Sequence, residues 1–190
     1  MQIVAAILLA CLSIIFAFHY YWFEGLDVWF AEALRGNDFL HLFHFLGDEK
    51  FSIIAFLVSI GIVLHKKLGN RLIGFVVFNY GFTLVVNRVL KHLVERPRPE
   101  IVDQLTSYSM PSGHTMASLI FALVTIYLWK RIVNKYNDSV SIILIVSAVL
   151  CGLSRIADER HFFSDVLVGW ILSYVIYFFV KKWYEKGRTN

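Results

Sequence analysis

Six mostly apolar stretches constrain the fold of this chain more than any other feature of its sequence. They cover residues 3–23, 51–65, 72–91, 113–129, 139–156 and 162–180. A hydrocarbon core about 30 Å thick requires roughly 20 helical residues to cross it, so the short second stretch needs local thinning of the bilayer or help from flanking residues. The composition, 58% hydrophobic with a mean hydropathy of +0.64, excludes an ordinary soluble domain. We expect residues 1–190 to form a single all-α integral membrane domain, a bundle of six transmembrane helices.

Residues 27–48, DVWFAEALRGNDFLHLFHFLGD, separate the first two apolar stretches. Apolar residues recur there at helical spacing among polar ones, which is typical of amphipathic helices lying in the membrane interface. We predict interfacial helical segments here rather than a further span. Two roles stay open for them: gating the access of a lipid, or resting at the interface.

The basic residues predict the orientation of the helices. The stretches HKKLGNR, WKRIVNKYND and KKWYEKGR contain ten of the 18 Lys and Arg residues but only two of the 14 acidic residues, Asp138 and Glu185. Short loops rich in Lys and Arg stay in the cytoplasm. Six spans then place both termini in the cytoplasm, and we expect the membrane to be a bacterial plasma membrane. The net charge of +4 is an orientation signal and gives little support to nucleic-acid binding.

The first apolar stretch could also be a secretory signal, because Ala31-Glu32-Ala33 has the small-x-small form of a cleavage site. That tripeptide lies well beyond the end of the apolar stretch, and no Lys or Arg precedes the stretch, so we expect a retained helix. Cys11 and Cys151 each lie inside an apolar stretch, which favours small core side chains over a disulfide or a metal site.

Three cations, Lys91, Arg98 and Arg155, fall at the predicted outer ends of spans. Charges at a membrane edge are costly and are candidates for function. Grouped together they would repel one another unless an anion lay between them, and the planar fork of arginine suits phosphate oxygens. The alternative is local pairing at helical spacing, of Lys91 with Glu95 and of Arg155 with Asp158 or Glu159.

The tetrapeptide Pro111-Ser112-Gly113-His114 precedes the fourth apolar stretch. The free amides of a first helical turn and the helix dipole favour an anion there, and Gly113 allows the backbone to approach it. Ser112 can add a hydroxyl donor, and His114 can hand a proton to a leaving group. The alternative is a serine N-cap followed by an interfacial histidine.

His161 and Asp165 lie four residues apart where the last helix is expected to begin. This spacing places them on one helix face, so the carboxylate can accept a hydrogen bond from one ring nitrogen and leave the other as a nucleophile. Attack on phosphorus would give a phosphohistidine. A capped helix start beside an unrelated histidine is the alternative.

These residues form a three-part pattern that spans residues 91–99, 111–114 and 154–165. It reads Lys91, six residues, Arg98-Pro99; then Pro111-Ser112-Gly113-His114; then Ser154-Arg155, five residues, His161, three residues, Asp165. The pattern resembles the signature of the type 2 phosphatidate phosphatase superfamily, which includes lipid phosphatases and vanadium haloperoxidases, and a compact chain of this kind looks like its bacterial phosphatidylglycerophosphatase B group. The first ninety residues agree in hydropathy alone.

The resemblance implies a role for each matched residue. His161 would be the nucleophile, Asp165 its partner and His114 the acid for the leaving group. The residues that hold the phosphate would be Lys91, Arg98, Ser112, Gly113 and Arg155. The resemblance implies no metal and no cofactor, and the motifs contain no carboxylate cluster suited to a hard cation.

We therefore expect a metal-independent membrane phosphatase that hydrolyses undecaprenyl pyrophosphate, phosphatidylglycerol phosphate or both at the outer face, with the lipid entering from the bilayer. One alternative is a phosphotransferase that passes the same phosphohistidine to an acceptor. A lipid-phosphate binding or transport protein gives no reason for the His161–Asp165 pair beside His114, and six spans disfavour a soluble haloperoxidase. The insert Asp158-Glu159-Arg160 leaves the choice of substrate open.

Overall fold

The computed structural model describes residues 1–133 and 138–187, and all regular structure in them is helical. Eight α-helices follow one another: α1 Gln2–Phe18, α2 Glu24–Leu34, α3 Asp38–His41, α4 Glu49–His65, α5 Asn70–Val94, α6 Gly113–Ile132, α7 Asp138–Ala157 and α8 Phe163–Lys186. Two 3-10 turns, Tyr20–Phe23 and His44–Gly47, join α1 to α2 and α3 to α4. The all-α prediction is confirmed.

The predicted count of six spans is not confirmed. Four of the described helices, α5 to α8, are long and apolar enough to cross a membrane. A fifth span is possible if α1 and Tyr20–Leu34, which meet at a bend of 88°, count as one broken span. Both α1 and α4 have 17 residues, and at 1.5 Å per residue such a helix is only about 26 Å long. The first stretch, like the second, therefore forms a helix shorter than the hydrocarbon core.

The core of the bundle lies around α6 and α8, which pack against each other and against α5. Phe75 of α5, Ile120 of α6 and Val168 of α8 are among its fully buried side chains. A Cβ atom on Gly169 would lie only 3.2 Å from the carbonyl oxygen of Ser112, so glycine lets the beginnings of α6 and α8 meet. That contact brings the second and third sequence motifs together.

The basic residues gather at the opposite end of the same helices. Arg71, at the start of α5, donates to the carbonyl oxygen of Trp183 near the end of α8, at 2.7 Å. Arg131, near the end of α6, lies 5.6 Å from the ring centroid of Tyr184. The three basic stretches thus share one end of the bundle, although Lys135 and Arg188 lie outside the described residues. Which end faces the cytoplasm stays a prediction.

Residues 27–48 form the helical segments that the sequence predicted, and they pack closely on the rest of the fold. The rings of Phe30 in α2 and Phe163 in α8 stack with their centroids 4.0 Å apart. The amide of Gly36 donates to the carbonyl oxygen of Ala157, at the end of α7, at 3.0 Å. Because these contacts join the segment to α7 and α8, it is part of the folded bundle, and a gating role stays a prediction.

Candidate active site

His161 and Asp165 meet at the start of α8, but not along one helix face as predicted, because His161 lies just before the helix begins at Phe163. The Nδ1 atom of His161 is 3.3 Å from Oδ2 of Asp165, and both side chains are almost fully buried. The same carboxylate oxygen accepts from the amide of Phe162 at 2.9 Å and from the hydroxyl of Ser109. These bonds fix the position of the carboxylate under the imidazole.

The guanidinium of Arg98 determines the tautomer of His161. Its Nη1 atom lies 3.2 Å from Nε2 of the imidazole, and a guanidinium can only donate. The Nε2 atom must therefore present its lone pair, and the proton of the neutral ring lies on Nδ1, facing Asp165. Nε2 is the atom that a nucleophilic histidine would use.

Burial keeps the His161 ring neutral. Loss of water lowers the pKa of His161 to about 3, against the opposing effect of its hydrogen bond to Asp165, and the charges of Arg98 and Lys91 lower it further. Burial also lowers the pKa of Arg98 to about 10, with Asp165 opposing and Arg155 and Arg160 adding to the effect. At neutral pH the site therefore combines an uncharged imidazole with a charged guanidinium.

Arg98 and Lys91 are held by backbone carbonyl groups of the loop before α6, and Arg98 also by one in the loop before α8. Arg98 donates to the carbonyl oxygens of Ser107 at 2.7 Å and Arg160 at 2.6 Å. Lys91 donates to the carbonyl oxygens of Tyr108 and Ser109. The local pair of Lys91 with Glu95, which the sequence offered as an alternative, is therefore wrong: the lysine bonds instead to the loop that carries Ser109.

Ser112 caps α6, with its Oγ accepting from the amide of Thr115 at 3.4 Å. Its own amide donates to the carbonyl oxygen of Asp165 at 3.1 Å, which ties the start of α6 to the start of α8. Gly113 follows, and a Cβ atom there would lie 3.3 Å from Oδ1 of Asn87. The structure therefore places Ser112, which also caps α6, against the backbone of Asp165, and Gly113 beside Asn87.

His114 faces a carboxylate that the sequence did not assign to the site. Its Nε2 atom is 3.0 Å from Oδ1 of Asp48, at the beginning of α4. The preceding residue, Gly47, packs so closely that a Cβ atom on it would lie 2.5 Å from the Cα of His114. Glycine is thus required for the turn to bring Asp48 to the ring.

Arg155 takes the local partner that the sequence offered. Its Nη1 donates to Asp158 at 3.0 Å, while its buried Nε has no hydrogen-bond partner among the described residues. The charged side chains of the insert Asp158-Glu159-Arg160 each have their own partner. Asp158 also contacts His41, Glu159 pairs with Arg35, and Arg160 donates to the carbonyl oxygen of Asp103.

Four residues of the site were missed from the sequence: Asp27, Asp48, Arg96 and Ser109. Arg96 is buried and donates to Asp165 at 2.7 Å and to Asp27 at 2.7 Å. Asp27 and Asp48 lie at the two ends of the segment that the sequence assigned to the membrane interface. The sequence offered only chemical signals for these residues: the acidic residues of the amphipathic segment 27–48, and Arg96 as a second arginine before a proline in the first motif.

A cavity of about 580 Å³ adjoins His161. Its wall includes His161, Arg98 and Arg96, together with Tyr20 of the turn after α1 and Val28 of α2. In residues 1–133 and 138–187, no group of three or more His, Cys, Asp and Glu side chains could hold a metal ion. Positive charge beside His161 comes from arginine and lysine.

Comparison with known proteins agrees with this geometry. The model of the PAP2 superfamily matches residues 72–188, which include all three motifs. Phosphatidylglycerophosphatase B of Bacillus subtilis is 33% identical over 164 residues, covering 83% of this chain and 77% of its own. Lipid phosphate phosphatase 1 of Saccharomyces cerevisiae is 31% identical over 75 residues, which cover 40% of this chain and 27% of that protein.

A solved structure shares the fold. The crystal structure of the transmembrane PAP2 type phosphatidylglycerolphosphate phosphatase from Bacillus subtilis aligns with a TM-score of 0.81 and 29% identity. The alignment covers 95% of this chain and 96% of the other. The first ninety residues, which carry no signature motif, thus take part in the shared fold. This chain is a multi-pass membrane protein, and it belongs to the PAP2 superfamily.

Proposed function

We propose that this protein is a lipid phosphatase that hydrolyses lipid phosphates or pyrophosphates through a phosphohistidine intermediate. The observation that carries the proposal is the chain of contacts from Arg98 through His161 to Asp165. Arg98 meets Nε2 of the imidazole at 3.2 Å and Asp165 meets Nδ1 at 3.3 Å. A nucleophilic nitrogen of defined tautomer therefore lies against a phosphate-binding guanidinium.

In the first step, the lone pair of His161 Nε2 attacks phosphorus and the bond from phosphorus to the leaving oxygen breaks. Arg98, Lys91 and Arg155 stabilise the charge on the remaining phosphoryl oxygens, and the Ser112 hydroxyl and Gly113 amide add donors. This step uses the protonated form of His114, which gives a proton to the leaving oxygen and becomes neutral. Asp165 stabilises the positive charge that develops on the ring of His161.

In the second step, water attacks the phosphohistidine. His114, now neutral, accepts a proton from the water, and the bond from phosphorus to Nε2 breaks. Inorganic phosphate leaves, and His161 and His114 return to their starting states. We propose that Asp48 keeps the ring of His114 oriented for both proton transfers, because it is the carboxylate that the ring contacts.

The reaction proposed here needs no metal ion. In many phosphoryl-transfer enzymes a metal neutralises the phosphate oxygens. Here the same charge is available from Lys91, Arg98 and Arg155, and Arg98 retains its charge at neutral pH despite burial. Continued turnover in excess chelator would support this part of the proposal.

We propose that the substrate is undecaprenyl pyrophosphate, phosphatidylglycerol phosphate or both, and that it reaches the site from the bilayer. Similarity to the Bacillus subtilis phosphatidylglycerophosphatases supports the second lipid. The position of the site at the end of the bundle away from the basic stretches supports an outer-face location, with both termini in the cytoplasm. A site at the outer face supports the first lipid, undecaprenyl pyrophosphate, because that carrier lipid is released at the outer face.

The test is phosphate release by the detergent-purified protein from both lipids, in chelator. His161→Asn removes the nucleophile, and His65→Asn, an exposed histidine at the far end of α4, is the matched control. Release lost only in His161→Asn supports the proposal, and the faster lipid identifies the preferred substrate. Release only when an acceptor lipid is added would establish phosphotransfer instead. Lipid binding without release or transfer would point to a binding protein.

A further inference from the structure

Arg96 forms a buried bridge between α2 and the catalytic carboxylate. Its Nη1 donates to Asp165 at 2.7 Å, and its Nη2 donates to Asp27 at 2.7 Å. The side chains of Arg96 and Asp27 are 6% and 4% exposed, and that of Asp165 is fully buried. Two carboxylates from opposite ends of the sequence thus share one guanidinium.

Further contacts fix both ends of this bridge. Asp27 accepts from the amide and the hydroxyl of Ser164, each at 2.8 Å. The guanidinium of Arg96 lies over the ring of Tyr20 at 4.4 Å and over that of Phe162 at 4.0 Å. An arginine on aromatic faces, with a carboxylate oxygen bonded to each Nη atom, has little freedom to move. The position of Asp165 is therefore set by α2 as well as by α8.

The geometry explains why a charged bridge is present. Burying Asp165 alone would be costly, because a buried charge must be paired. Arg96 supplies the opposite charge but leaves Oδ2 of Asp165 for His161, since Arg96 contacts Oδ1. Asp27 accepts from Nη2 of Arg96, and the Ser164 hydroxyl accepts from Nη1 at 2.6 Å. Each carboxylate oxygen of Asp165 has a separate task.

We infer that Asp27 and Arg96 are positioning residues for the phosphohistidine reaction, acting on His161 through Asp165. This inference rests on the proposed function and deepens it. It assigns α2 a role in the chemistry, because Asp27 in its first turn holds Arg96, and Arg96 holds the Asp165 carboxylate that orients His161. Neither residue reaches the phosphate in this role.

The test compares Asp27→Asn with Glu32→Gln, which removes a carboxylate from an exposed position on the same helix. Asp27→Asn keeps the size of the side chain and one oxygen for Ser164. We expect kcat to fall by about 10- to 100-fold, as when other residues that orient a reactive group are replaced, with KM little changed. Glu32→Gln should leave both constants unchanged.

A second readout separates positioning from general loss of structure. In ¹⁵N-histidine NMR of the purified protein, the Nδ1 proton signal of His161 reports its hydrogen bond to Asp165. Asp27→Asn should shift this signal while the thermal unfolding midpoint stays near that of Glu32→Gln. If Asp27→Asn unfolds, Arg96→Lys, which keeps the charge but loses the fork, replaces it in both measurements.

Two results would overturn the inference: an unchanged kcat in a folded Asp27→Asn or Arg96→Lys protein, or a lower kcat with an unmoved His161 signal. The variants His161→Asn and Asp165→Asn distinguish this failure from failure of the proposed function. If His161→Asn and Asp165→Asn are inactive while Asp27→Asn has normal activity, only the positioning role of Asp27 and Arg96 is wrong. If both remain active, the phosphohistidine mechanism itself is wrong.

Discussion

Asp48 and His114, separated by 66 residues in the sequence, meet at 3.0 Å between Oδ1 and Nε2. The contact joins the beginning of α4 to the first turn of α6. It places a carboxylate beside the residue proposed to protonate the leaving group, much as Asp165 lies beside the nucleophile. The structure thus contains two histidine–aspartate pairs, His114 with Asp48 and His161 with Asp165.

This pairing predicts how leaving groups change the effect of substitution. We expect Asp48→Asn and His114→Gln to slow hydrolysis of lipid alkyl phosphates by about 10²- to 10⁴-fold at most, the usual range for a general acid. An aryl phosphate has a good leaving group that departs without a proton, so the two substitutions should slow its hydrolysis much less. Steady-state kinetics on the two substrates measures the difference. Equal losses on both would contradict the assignment of His114 as the acid.

Gly47 is expected to be intolerant of any side chain. A Cβ atom there would overlap the Cα of His114 at 2.5 Å, so Gly47→Ala must move backbone away from the site. We expect a loss of stability of about 1–3 kcal/mol, typical of overpacking, and lower activity. The thermal unfolding midpoint in detergent reports the first effect. Gly61→Ala, on α4 with no atom within 4 Å of its Cβ position, is the control. A normal midpoint for Gly47→Ala would refute the close packing of this turn.

The imidazole of His161 should remain neutral well into the acid range. Burial lowers its pKa to about 3 in the folded protein, against about 6.5 in an unfolded chain. The folded state therefore binds fewer protons, and this group stabilises the fold fully above about pH 6.5 but progressively less as the pH falls toward the folded value. Imidazole ¹³C NMR, assigned with His161→Asn, should show a neutral ring at pH 5. Titration of His161 near pH 6.5 would contradict the burial of the ring.

The sequence predicted the parts of the site that depend on short spacing. The spacing of four predicted the contact between His161 and Asp165, although His161 lies just before α8, so the contact is made across the helix start rather than along one helix face. Ser112 caps α6, as a serine before a helical run commonly does. The pairs Asp27–Arg96 and Asp48–His114 were not predictable in this way. They join residues 69 and 66 positions apart, and nothing in the local pattern of residues 27–48 indicates which acids turn inward.

The helix count shows a second limit of sequence reasoning. Hydropathy identified all the long helices, but it extended the first stretch to residue 23, whereas α1 ends at Phe18 and a 3-10 turn begins the bend into α2. The bend places Asp27 against Ser164 and Arg96. Hydropathy alone does not predict such a turn, because the contacts made at the bend involve residues far along the chain.

The central claim is that the phosphoryl group is transferred to His161 before water releases it as phosphate. The most direct measurement is rapid acid-free quenching of the purified protein with a ³²P-labelled lipid substrate, followed by denaturing separation and mass spectrometry of peptides. We expect an acid-labile, base-stable phosphoryl group on His161 that is absent from His161→Asn. Label on another residue, or steady turnover by His161→Asn, would contradict the mechanism.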